Sequence, residues 1–224
     1  MPGIRRTGLR AALLTLPLIA GLLGTAAAPA GAVGTAAAAP AYASHPGAPS
    51  LSCRGEGVDP GARVRHRTET FINAPLRTVW RLQTDVERWP SWKGAVSTVD
   101  RLDHGPFRKG SAFHWTMPVP PNPVTPATRL EITSTVEQLK RGSCIRWTGP
   151  ATAGGLRIDG VHVWTFTKVG GGVRVSTEET HTGPQVEAHI PVATEILRQG
   201  LEAWLRDLKA AAEARAHSHH GRAH

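Results

Sequence analysis

Three side chains near the end of the chain could move a proton. His162 lies in the run VHVWTFTKV. Glu179 and His181 lie in VRVSTEETHTG, beyond a Gly170-Gly171-Gly172 turn. Alternate residues of an extended chain share a face. His162, Trp164 and Phe166 therefore fall together, as do Val173, Val175, Thr177, Glu179 and His181. If Lys168 sits opposite Val173, His162 sits opposite Glu179, and a carboxylate beside an imidazole is a pair that general acid–base chemistry uses. A slip of one residue sends one set to the other side of the sheet. A polar contact that only satisfies buried groups, or a solvent-facing pair, is the plainer reading of the same residues. His162, Glu179 and His181 are the candidate catalytic residues.

Seven tryptophans, against one tyrosine and four phenylalanines, form the second chemical feature. Each brings a large apolar face and one N–H that needs a partner. Such residues wall a space that takes a flat or ring-shaped ligand, or they fill a core. Phe113 and Trp115 alternate onto one face of their strand, and Trp164 and Phe166 onto one face of theirs. With Leu201 and Trp204 of a C-terminal helix, they are the candidate ligand-contacting residues. The named catalytic patterns are absent: no G-x-S-x-G, H-E-x-x-H, C-x-x-C, P-loop or dinucleotide G-x-G-x-x-G occurs. His66, His104, His114, His162, His181 and His189 are dispersed, and the histidines after residue 215 lie in a polar tail without fixed geometry. No metal, nucleotide or flavin cofactor is expected. Basic residues are scattered without a Lys/Arg block. Arg63, Arg65 and Arg67 would share one strand face, which reads as solvated surface, so no nucleic-acid partner is expected.

The elements that position these residues follow from periodicity and punctuation. Residues 62–72 alternate as a first strand. Pro75 then starts a short helix with Leu76, Val79, Trp80 and Gln83 along one stripe, and Asp85 opens a second helical turn that Pro90 ends. Strands follow over 94–102, 110–117, 128–139, 143–149, 157–169 and 173–183, with a five-proline loop at 118–127. A long amphipathic helix runs from about Pro191 to Ala214, with Ala193, Leu197, Leu201, Trp204 and Leu208 on its apolar stripe. Seven strands in this order give an α+β fold in which a curved antiparallel sheet is crossed by the last helix. One helix is about 10–12 Å across, too thin to fill the trough, so the two short helices act as a prop and a cavity is expected.

The ends of the chain carry other signals. Residues 1–43 run from Arg5, Arg6 and Arg10 through an apolar stretch to small residues, the order of a secretory signal peptide. Cleavage fits after Ala43 or after Ala32. An uncleaved anchor is the alternative, disfavoured because the apolar run is short and broken by Pro17. Removing residues 1–43 takes away three arginines and no acid, lowering the formal charge from +9 to +6. Residues 44–61, rich in Gly, Pro and Ser, read as a linker, 62–214 as the domain and 215–224 as a His-rich tail. In an exported chain Cys53 and Cys144 can pair, which would stabilise by roughly 4–5 kcal/mol on chain-entropy grounds. One buried and one free thiol is the alternative.

On the order of elements and on INAPLRTVWRLQTDVERWPSW, GPFRKGSAFHW and VHVWTFTKVGGGVRVSTEETHTG, the chain resembles the START-like, helix-grip (SRPBCC) superfamily over residues 62–213. That superfamily includes polyketide cyclase/dehydrase-like and lipid-transfer proteins and birch-pollen-allergen relatives. The resemblance implies an apolar or aromatic small molecule bound in the cavity, sometimes with catalysis. Three readings follow. The first is an exported carrier of a lipid or polyketide-like molecule, with transient contact to a membrane or the cell envelope. The second is a cyclase/dehydratase-like enzyme using His162 and Glu179. The third is an envelope interaction module presenting loop 118–127.

Overall fold

A computed structural model describes residues 49–220, with side chains to Ser218. The leader expected over residues 1–43 and the last four residues of the tail lie outside them. The chain adopts the expected α+β helix-grip arrangement. A small hairpin, β1 (Ser52–Cys53) and β2 (Glu56–Gly57), precedes seven strands: β3 (Val64–Ile72), β4 (Thr98–Arg101), β5 (Ala112–Val119), β6 (Thr128–Lys140), β7 (Cys144–Ala153), β8 (Leu156–Val169) and β9 (Gly172–Thr182). These form one antiparallel sheet in the order β3-β9-β8-β7-β6-β5-β4. β3 and β4 are successive in sequence but form opposite edges. Helix α1 (Leu76–Thr84) and a 3₁₀ turn (Val86–Ser91) carry the chain between them, and that crossing is the prop expected from sequence.

β5 continues through Pro118, which pairs with Arg129. β4 ends opposite Thr116, so β5 is an edge strand at that proline and its missing N–H breaks no ladder. A bulge between Val136 and Gln138 interrupts the β6–β7 register and bends the sheet. Helix α3 (Ile190–His220) lies along β3 after a short α2 (Pro184–Ala188) that periodicity did not reveal. α3 extends past Ala214 because the Ala-rich residues beyond it are good helix formers. Leu197, Leu201, Trp204, Leu205, Leu208 and Ala212 are its buried stripe.

Residues 49–59 are not a free linker. The β1–β2 hairpin is held to the convex face by the Cys53–Cys144 disulfide. Arg146 Nε donates to Gly57 O at 2.8 Å, and Asp59 N donates to Thr180 Oγ1 at 3.3 Å. The hairpin covers outward-pointing positions that alternation assigns to solvent, so Val163, Glu178 and Thr180 are buried there. The Glu178 carboxylate is 2% exposed. It pairs with Arg65 and accepts from Leu51 N at 2.6 Å and Ser50 Oγ at 3.1 Å. A buried charge without such partners would cost several kcal/mol, so the segment and the carboxylate hold each other.

Candidate functional site

Sheet register builds the site. Lys168 pairs with Val173, and His162 therefore faces Glu179. The same row runs from His66 on β3 through Glu179 and His162 to Trp147 on β7. All four side chains point to the concave face. The next row carries Val64, His181, Gly160 and Gly149. The Glu179 carboxylate sits between two imidazoles, with Oε2 3.3 Å from His162 Nδ1 and Oε1 3.3 Å from His181 Nε2. A Cβ added at Gly160 would lie 3.5 Å from Glu179 Oε1 and 3.8 Å from His181 Cδ2. Glycine there leaves space beside the carboxylate that any side chain would fill.

The protonation pattern follows from donors and acceptors. His162 Nε2 lies 2.6 Å from Thr177 Oγ1, whose other neighbour is Val163 O at 3.3 Å. Burial drives the His162 pKa down to about 4, opposed by Glu179 and reinforced by His181. A neutral ring meets an ionised carboxylate favourably only with the proton on Nδ1, donated to Glu179. Nε2 then accepts from the Thr177 hydroxyl. Burial raises the Glu179 pKa, but His162 and His181 outweigh it and hold the carboxyl below the ordinary range. Both His162 nitrogens are thus engaged, and its side chain is 6% exposed, against 19% for Glu179 and 21% for His181. His162 therefore orients the carboxylate, and Glu179 and His181 are the more exposed members of the group. Among the described residues no group of three or more His, Cys, Asp or Glu is arranged to hold a metal ion.

Beside this polar row the trough is filled with rings. Trp89, which sequence reading did not single out, is fully buried and makes edge-to-face contacts with Trp204 at 4.9 Å, Phe113 at 5.4 Å and Trp115 at 5.7 Å. Trp164 lies 5.9 Å from Trp204 and 4.8 Å from the His162 ring. Trp80 closes on Phe166 at 5.2 Å. Phe113, Trp115, Trp164, Phe166, Leu201 and Trp204 are all buried. The aromatic residues among them, expected to line an open hollow, occupy it instead, because the prop contributes Trp89 and Trp80 to the space that one helix leaves.

Not every polar atom in this interior is matched. Trp115 Nε1 donates to Ser134 Oγ at 3.0 Å, Trp89 Nε1 to Gln83 O at 3.2 Å and Trp204 Nε1 to Gln83 Oε1 at 3.2 Å. Gln83 Nε2, Trp92 Nε1, Trp164 Nε1 and His66 Nε2 are buried without a hydrogen-bond partner. Gln83, Trp92 and Trp164 all touch Trp204. Each unmatched donor costs about 1–3 kcal/mol. Gln83 was legible as the one polar member of the α1 stripe. His66 was not, because the alternating arginines of the opposite face dominate the pattern of its strand.

A family model for polyketide cyclase / dehydrase and lipid transport matches residues 63–213. No protein among curated sequences matches the chain significantly. Among solved structures, a hypothetical protein of Helicobacter pylori superposes with a TM-score of 0.53 at 16% identity, covering 68% of this chain and 90% of that one. A Thermus thermophilus protein gives 0.51 at 19% identity, covering 68% and 99%. The di-domain ARO/CYC StfQ from the steffimycin biosynthetic pathway gives 0.52 at 19% identity, covering 68% and 51%. At these identities the likeness is one of fold.

Proposed function

This chain belongs to the polyketide cyclase / dehydrase and lipid transport family, and on that premise we propose that it binds an apolar or aromatic small molecule bearing hydrogen-bond acceptors, between α3 and the concave sheet face. The observation that carries this reading is the set of unmatched donors around Trp204: Gln83 Nε2, Trp92 Nε1 and Trp164 Nε1. Carbonyl or hydroxyl oxygens on a ring-shaped guest would satisfy them while its faces stack on indoles. Admission requires the Trp204 turn of α3 to move off Trp89, against the Lys93–Asp207 ion pair at 2.9 Å. We further propose export, supported by a disulfide of the kind that persists in oxidising compartments.

Native mass spectrometry of the full chain incubated with a lipid and aromatic-metabolite extract tests the binding. An adduct of discrete mass is expected, and Trp164→Phe, which removes one unmatched N–H, should change its retention by about tenfold. Only unliganded protein across the extract would overturn the reading. A cyclase/dehydratase-like activity is the second reading, favoured by the space at Gly160 beside Glu179 and His181. Glu179→Gln should then abolish turnover of a cyclising substrate, and Gly160→Ala should impair it with the fold intact. Unchanged turnover in both would remove it.

A further inference from the structure

The convex face holds a depression of about 800 Å³ beside the disulfide, bordered by the end of β6, the start of β7 and residues 165–167 of β8. Arg54, Arg67 and Lys140 border it together with Ser52, Ser143 and Thr165, and no acidic residue among the described residues does. Nearby acids are engaged elsewhere: Glu178 by Arg65, and Glu69 by Ser176 at 3.0 Å and Arg174 at 3.8 Å. The Arg67 guanidinium is fixed at the rim by donating to Pro49 O at 2.6 Å. Arg54 and Lys140 are solvent-exposed.

Arg54 is the telling residue. It and Gly55 form the two-residue turn between β1 and β2, with φ of 53° and 87°. Such a turn favours Asn-Gly, because both central residues need positive φ. Arg54 is the one non-glycine residue with positive φ among the described residues, and a long side chain there gains nothing for the turn. The disulfide at the adjacent Cys53 fixes this strained residue over β7. Backbone strain kept at a pinned position, at the rim of a hollow shared with Lys140, points to a use for the side chain.

We propose that this depression binds a phosphate group, with Arg54 and Lys140 as the charged contacts and the surrounding hydroxyls as donors. Arginine and lysine with neutral donors are the groups that recognise phosphoryl oxygens. A free phosphorylated molecule and a phospholipid headgroup share this chemistry.

The test uses the oxidised full chain, titrated calorimetrically with pyrophosphate and sedimented separately with phosphatidylglycerol or pure phosphatidylcholine vesicles. The Arg54→Gly/Lys140→Ala variant is compared with Arg77→Ala/Arg129→Ala, which removes equal charge elsewhere. The first pair should weaken binding at least about tenfold and the second far less. Arg54→Gly relieves the strained φ, so an undiminished melting temperature separates loss of binding from loss of fold. Lys140→Ala alone must also weaken binding, whatever Arg54→Gly does to stability. Binding of pyrophosphate assigns a free phosphate; binding only to phosphatidylglycerol vesicles assigns a headgroup. Equal weakening in the two pairs, or no binding to either probe, overturns the proposal.

Discussion

Replacing His162 with Gln should remove much of the acid sensitivity of the fold. The imidazole titrates near its ordinary 6.5 in the unfolded chain and at about 4 in the folded one, because burial disfavours its charged form. Between those values the unfolded state binds more protons, so stability is present above pH 6.5 and is lost as pH falls toward 4. At about 1.4 kcal/mol per pH unit the loss across the window is about 3 kcal/mol. Glu179 acts with the same sign at lower pH, its folded carboxyl titrating below the ordinary range, and His66 is also depressed, chiefly by burial. Both groups remain in the variant, Glu179 without the part of its depression that His162 supplies. Gln keeps a donor for Glu179 and an acceptor for Thr177 without titrating. Urea unfolding followed by tryptophan emission, from pH 7.5 to pH 4, gives both stability curves. The variant starts lower at neutral pH through lost packing on Trp147 and Trp164, and its curve should fall by about 3 kcal/mol less. Parallel curves would refute the claim that His162 is held neutral by burial.

Trp89→Ala should cost about 3–5 kcal/mol in the same assay, since one fully buried ring touches Trp204, Phe113 and Trp115; a loss below about 1 kcal/mol would mean that the aromatic interior collapses easily. Arg65→Met should destabilise more than Glu178→Gln, by about 2 kcal/mol, because it leaves a buried charge unpaired where Gln leaves none. Equal unfolding midpoints would count against that assignment. Reducing Cys53–Cys144 should lower stability by roughly 4–5 kcal/mol for a loop of 91 residues, measured by urea titration with and without reductant.

The register of the last hairpin stayed open in sequence, because its glycine turn leaves room for a one-residue slip, but the seven strands were legible because alternation, turn residues and spacing agreed along the chain. The hairpin over 52–57 was not, because two-residue strands carry no period and the Gly/Pro/Ser content of its surroundings reads as linker. Its role depends on Cys144 and Glu178, about ninety to one hundred and thirty residues away. The candidate acid–base pair could be named from sequence, yet the engagement of both His162 nitrogens could not, since Thr177 and burial enter only in three dimensions. Filling of the trough was illegible for a related reason: periodicity says which face a Trp takes and nothing about the volume opposite it.

The disulfide closes a covalent ring running from β1 to the start of β7, and β8 and β9 lie outside that ring in sequence while sitting between two of its members, β3 and β7, in the sheet. The clasp therefore straddles two strands that its own ring does not contain. Its anchoring contacts divide between Arg146 of β7, at the edge of the ring, and Glu178 and Thr180 of β9, outside it.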